Sequence, residues 1–116
     1  MKYENVKFYN EKTKTLTLIT DITDYEKKEV ATKKYQYPFF VKGIYTQKAI
    51  ELGAELEENE FVVTAELFDR LTNFFVELYG KQFTAEEFVN GIDQQKIVST
   101  FIIMLFGVLQ GETKNV

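Results

Sequence analysis

Apolar and polar residues alternate at the start of this chain and take on a helical period after residue 38. Over Tyr3 to Tyr9, Val6 and Phe8 share one face while Lys7 and Tyr9 take the other. Thr15-Leu16-Thr17-Leu18-Ile19-Thr20 alternates again and is rich in β-branched residues. With polar Asn10 to Lys14 between them, the two runs predict a β-hairpin. Asp21-Ile22-Thr23-Asp24 has the composition of a turn. Charged Glu26 to Lys34 has no clear period. It reads either as a short exposed helix or, joined to Tyr35-Gln36-Tyr37, as a third strand over Val30 to Tyr37, and the strand is preferred. The sole proline, Pro38, biases Tyr37 to extended backbone and marks a boundary.

Beyond Pro38, Val41, Tyr45, Ala49, Leu52 and Leu56 fall on one helical stripe, with Lys42, Gln47, Lys48, Glu51 and Glu55 off it. Ile50 lies opposite that stripe. Glu57-Glu58-Asn59-Glu60 is a solvated end. Thr64 is the next N-cap, with Val63 and Phe68 spaced as a hydrophobic staple and Glu66 placed favourably for the helix dipole. Leu67, Leu71, Phe74, Phe75 and Leu78 form the buried face of this second helix; Glu66, Asp69, Arg70, Asn73 and Glu77 form the wet one.

The segment Tyr79 to Asp93 carries the densest boundary signals. Gly80 suits the left-handed position that ends many helices. Thr84 and Glu87 make a capping box, flanked by the staple pair Phe83 and Phe88. Asn90-Gly91 closes this short helix, and Asp93 caps the next, with Ile92 and Ile97 as its staple. That last helix, Gln94 to Gln110, has a core stripe of Ile97, Val98, Phe101, Met104, Leu105 and Val108. Opposite sit Ile102, Ile103 and Phe106, where a surface helix carries charge. Each is worth about 1.5–3 kcal/mol if buried, so two readings stand. Either the hairpin or the first helix covers them, or they form a partner or self-association face.

The expected fold class is α+β: an N-terminal hairpin or three-stranded sheet over residues 1–38, then a mostly helical region of about four helices over 39–110. Gly111 is read as a C-cap and residues 111–116 as a polar tail. At 116 residues the chain has one domain's worth of core. There is no Cys and no His, which removes disulfides, thiolate ligands and the commonest general base. A net charge of -4 offers no basic field for nucleic acid. The N-terminus lacks the apolar stretch of a signal peptide, and the longest apolar run, Phe101 to Leu109, is about half the roughly 20 residues a membrane span needs. The expectation is a soluble cytosolic protein.

Candidate chemistry is sparse. No glycine-rich phosphate loop occurs, and Gly53, inside the first helix, reads as a packing or flexibility point rather than a ligand site. Glu86, Glu87 and Asp93 are carboxylates, but the last two are already engaged as caps. Glu55, Glu57, Glu58 and Glu60 lack the spacing and glycine of a calcium loop. Ser99 has no base to activate it. No catalytic, cofactor or metal site is therefore expected, and the protein reads as non-enzymatic.

Several stretches carry a family resemblance. They are Phe40-Val41-Lys42-Gly43-Ile44, Lys48-Ala49-Ile50-Glu51-Leu52, Glu66-Leu67-Phe68-Asp69-Arg70-Leu71 and Phe75-Val76-Glu77-Leu78-Tyr79-Gly80. The most specific is Lys81-Gln82-Phe83-Thr84-Ala85-Glu86-Glu87-Phe88 followed by Asn90-Gly91-Ile92. Together they resemble the tail assembly chaperones of long-tailed phages and prophages of Gram-positive bacteria, over Phe39 to Gln110. Asn90 stands where that family places Asp, which leaves the turn chemistry intact. The resemblance implies a protein absent from the finished virion. It implies binding to the tape measure protein in the host cytoplasm until tube subunits, the major tail protein, polymerise around it. Many members of that family also exist as a short and a frameshifted long product. The helical period, not the family, nominates Ile102, Ile103 and Phe106 as client or homo-oligomer contacts, with Ile50 and Val76 as outlying candidates. The rival function is a small phage-encoded regulator that binds one host protein through the same apolar helix.

Overall fold

The computed structural model describes residues 1–110; the C-cap expected at Gly111 and the tail 111–116 lie outside them. A three-stranded antiparallel sheet is followed by four helices, an α+β architecture. The strands are β1 (Tyr9–Asn10), β2 (Thr15–Asp24) and β3 (Glu29–Tyr35), in that spatial order. The helices are α1 (Ile44–Glu58), α2 (Ala65–Leu78), α3 (Ala85–Asn90) and α4 (Ile97–Gln110).

The first strand is shorter than its alternation predicts. Tyr3–Asn5 is a 3-10 turn, and only Tyr9 and Asn10 pair with β2, opposite Leu16 and Thr15. The start of the chain instead joins the far edge of the sheet: Tyr3 N–H donates to Lys28 O and Val30 N–H to Met1 O, both at 2.8 Å. Val6 and Phe8 are buried as expected, but so is Tyr9, which the alternation placed outside.

Asp21 to Asp24 is not a turn. β2 runs through it, pairing Asp21 with Ala31 and Ile22 with Val30, and shifts of register beside Ile19 and Ile22 absorb the irregular pattern. The turn comes four residues later. Asp24 Oδ1 accepts from Lys27 N–H at 3.1 Å, Lys28 N–H donates to Tyr25 O at 3.2 Å, and Lys28 takes a left-handed φ of 56°. Extended pairing thus overrides turn-like composition where a partner strand is at hand. The charged stretch resolves as a strand, with Leu16 opposite Tyr35.

Helix α1 begins at Ile44, after Val41, with Gly43 as an N-cap that makes no side-chain hydrogen bond. Val41 still packs half-buried on the core. Helix α2 starts as expected on Thr64, whose Oγ1 accepts from Leu67 N–H at 3.2 Å. It ends on Gly80 at φ 70°: Gly80 N–H donates to Glu77 O and Lys81 N–H to Val76 O, each at 2.9 Å. That bond pair is the Schellman motif. Helix α3 carries both halves of its capping box, Thr84 N–H to Glu87 Oε1 at 2.8 Å and Glu87 N–H to Thr84 Oγ1 at 3.0 Å.

Gly91, at the end of α3, is required by contact. A Cβ there would stand 2.8 Å from both Glu87 O and Leu18 Cβ, and Gly91 O accepts from Ile19 N–H at 2.9 Å. The short helix is thereby fastened directly to the central strand. Asp93 does not cap α4 itself. Its Oδ1 accepts from Gln95 N–H at 2.8 Å and its carbonyl from Lys96 N–H, forming a turn from which α4 begins at Ile97. Its other oxygen accepts from the Tyr3 hydroxyl. That bond, then the Gln95 N–H and the Lys96 charge, hold the Asp93 carboxyl below its usual range. The same bond, with burial, pushes the Tyr3 hydroxyl up to about 12.

An aromatic cluster forms the centre of the molecule. Phe88 stacks on Phe101 at 5.7 Å and on Phe83 at 5.3 Å, and Phe75 lies against both Phe88 and Phe101. Tyr35 of β3 packs edge-on against Phe83, which ties sheet to helices. The buried stripe of α4 is Ile97, Thr100, Phe101, Met104, Leu105 and Val108. Val98, expected in it, is exposed. Thr100 takes the edge of the stripe instead, its hydroxyl satisfied by Lys96 O at 2.7 Å.

Candidate partner-binding groove

Helices α1 and α4 pack side by side, and each offers four residues at the spacing i, i+3, i+4, i+7 that makes one face of a helix. On α1 these are Ile50, Gly53, Ala54 and Glu57; on α4 they are Ile102, Leu105, Phe106 and Leu109. The small pair Gly53-Ala54 lets the two helices meet closely. A Cβ at Gly53 would sit 3.6 Å from Leu109 Cδ1 and 3.9 Å from Leu105 Cδ2. Their contact leaves an open groove of about 290 Å³, to which Leu56 and Phe61 also contribute. Glu57 is its one charged wall.

The structure joins three of the five nominated residues here. Ile50 is 57% exposed and Phe106 47%, while Ile102 is half-buried against the core, and all three line the groove. Ile103 is 39% exposed but points away from it. Val76 is half-buried on α2 and also lies apart. Helix α1 thus packs beside the second face of α4, with Gly53 against Leu105 and Leu109, and leaves Ile103 and Phe106 partly uncovered.

Phe61 is the wall that periodicity could not show, because it belongs to no helix. The end of α1 repeats the motif at the end of α2: Glu60 N–H donates to Glu57 O at 3.0 Å and Phe61 N–H to Leu56 O at 2.8 Å. Here the left-handed position is held by Glu60 at φ 56°, and Phe61 follows at φ 63°. For a residue with a side chain this conformation costs about 1–2 kcal/mol. It turns the Phe61 ring into the mouth of the groove. Gly53 was legible as a packing point but not as part of a groove, and Ala54 escaped notice, because small residues do not register as an apolar face.

Other clefts differ in kind. One between α1 and α2 is lined by Lys48, Glu51, Arg70 and Glu77 among others, beside the bidentate Arg70–Glu55 pair at 2.7 Å. Another, on the sheet, is bounded by Lys7, Lys34, Thr15 and Thr17. Among the described residues no cluster of acidic side chains could hold a metal ion, and no helix is long and apolar enough to cross a membrane.

The family described as phage tail chaperone protein matches residues 10–116 of this chain. The chain belongs to that family. No curated protein and no solved structure matches it. The match starts at Asn10, the second residue of β1, and covers every later element, including both walls of the groove. It leaves out the 3-10 turn and the buried Val6 and Phe8.

Proposed function

We propose that this phage tail chaperone holds the tape measure protein in the host cytoplasm by receiving the apolar face of a client helix in the α1/α4 groove, and that it hands the client to the major tail protein as the tube assembles. The observation that carries this reading is the groove itself. It is an open furrow between two helices, almost wholly apolar in its lining, whereas the cleft between α1 and α2 and the one on the sheet carry charged side chains. A helix laid in a groove is recognised by anchors at i, i+3, i+4 and i+7, and both walls repeat that spacing. Ile50, Ile102 and Phe106 are the contacts, and Phe61 closes one end. Such a holder needs no reacting group; it needs an apolar surface kept soluble by surrounding charge.

Co-expression with the tape measure protein tests this. The chaperone should keep the client soluble and co-purify with it. Phe106→Asp should abolish both while leaving the circular dichroism spectrum unchanged, since Phe106 is already half in water. Undiminished client binding by a folded Phe106→Asp variant would refute the groove as the client site.

A further inference from the structure

The connector between β3 and α1 presents two large apolar side chains that nothing among the described residues covers. Phe39 is fully exposed and Phe40 is 69% exposed. They do not hang from a loose loop. Gln36 O accepts from Gln82 Nε2 at 2.9 Å, Tyr37 packs edge-on against Tyr79 at 5.5 Å, and Pro38 fixes the backbone between those anchors and the pair. A pre-ordered apolar pair loses little freedom on docking.

The groove offers matching room. A cavity of about 150 Å³ lined by aliphatic side chains holds one benzene ring, so about 290 Å³ accommodates two phenyl rings. The connector cannot fill its own groove as it stands. At 1.5 Å per residue, about 16 Å of helix axis separates Gly43 from Ala54, and the pair is held at the opposite end of α1.

Charge supplies the complement. Residues 30–50 hold four lysines and no carboxylate, whereas residues 51–60 hold five glutamates and no cation. The connector is thus flanked by Lys34 and Lys42, and the groove by Glu57, Glu58 and Glu60. None of these takes part in an ion pair among the described residues. We propose that the Phe39-Phe40 pair of one copy docks in the α1/α4 groove of a second copy, with the lysines of the connector meeting the glutamates at the end of α1. This goes beyond the client reading and does not rest on it. It gives the groove an occupant when no client is present, one that a client would have to displace.

The test uses the full chain without client, with mass followed by sedimentation against concentration. The wild type should self-associate, less so as salt is raised. Phe39→Ser with Phe40→Ser should weaken association at least about tenfold, as should Ile50→Asp. An equimolar mixture of those two variants should recover a one-to-one complex, because one retains an intact groove and the other an intact connector. Should Ile50→Asp fail to fold, Lys34→Glu with Lys42→Glu makes an independent test. It should weaken association, and mixing it with Glu57→Lys, Glu60→Lys should restore it. A wild type that stays monomeric, connector variants that associate like the wild type, or mixtures that recover nothing would each overturn the proposal.

Discussion

Helices α1 and α2 end in the same pair of backbone hydrogen bonds, and the difference between the two ends separates the two halves of the molecule. Where α2 ends, the left-handed position is Gly80 and the chain passes into Phe83, Thr84 and the aromatic core. Where α1 ends, that position is Glu60, and the following left-handed Phe61 opens onto solvent at the groove. One end follows the glycine rule at its first left-handed position, with Lys81 left-handed after it at φ 59°, and leads into a closed interior. The other departs from it at the wall of a surface left uncovered. Local rules give way where function is expected to lie. The same contrast runs along α4, whose Phe101 is sealed among other rings while Phe106, little more than one turn on, stands half in water.

The largest effect should fall on the closed side. Phe75→Ala, in the middle of the ring cluster, should cost about 3–5 kcal/mol in urea unfolding. Phe106→Ala should cost well under half of that, since much of its surface is never removed from water. Equal losses would mean that the groove side is core. Next in size come the helix ends. Glu60→Gly should stabilise the protein by about 1 kcal/mol, and Gly80→Ala should destabilise it by a similar amount. A neutral Glu60→Gly would show that the surroundings already compensate the left-handed conformation.

The smallest effect belongs to the clasp between Tyr3 and Asp93. Because the folded state holds the Asp93 carboxyl below its usual value, the clasp adds stability above the unfolded carboxyl pKa, and that stability is lost as pH falls through the lower folded value. Tyr3→Phe should lower stability slightly at neutral pH and make the acid side of the profile shallower below about pH 4. Parallel profiles for the two proteins would assign the acid sensitivity to other groups.

Much of the fold was legible where a side chain acts on its own backbone. Thr64, Gly80, Thr84 and Glu87 each do the local task their spacing announces. Features that depend on distant partners were not. Asp21 to Asp24 looks like a turn until β3 pairs with it, and Tyr3 to Tyr9 looks like a strand until its first residues find the opposite edge of the sheet. Val98 sits one position off a stripe that Thr100 completes, a choice made by the packing of a buried hydroxyl onto Lys96 O. For the groove, helical period was enough to single out Ile50, Ile102 and Phe106. Their assembly into one furrow was not legible, because it depends on the close approach at Gly53 and on a left-handed phenylalanine outside any helix.

The position of α4 in the chain bears on how the protein survives its own synthesis. It is the most apolar of the helices, with a face that even the finished fold leaves partly open. During translation it leaves the ribosome only after the sheet and the other three helices have been made. Its docking surfaces, from Gly53 to Phe88, are by then complete and able to receive it. The segment most prone to aggregate is therefore the one that spends the least time without a partner.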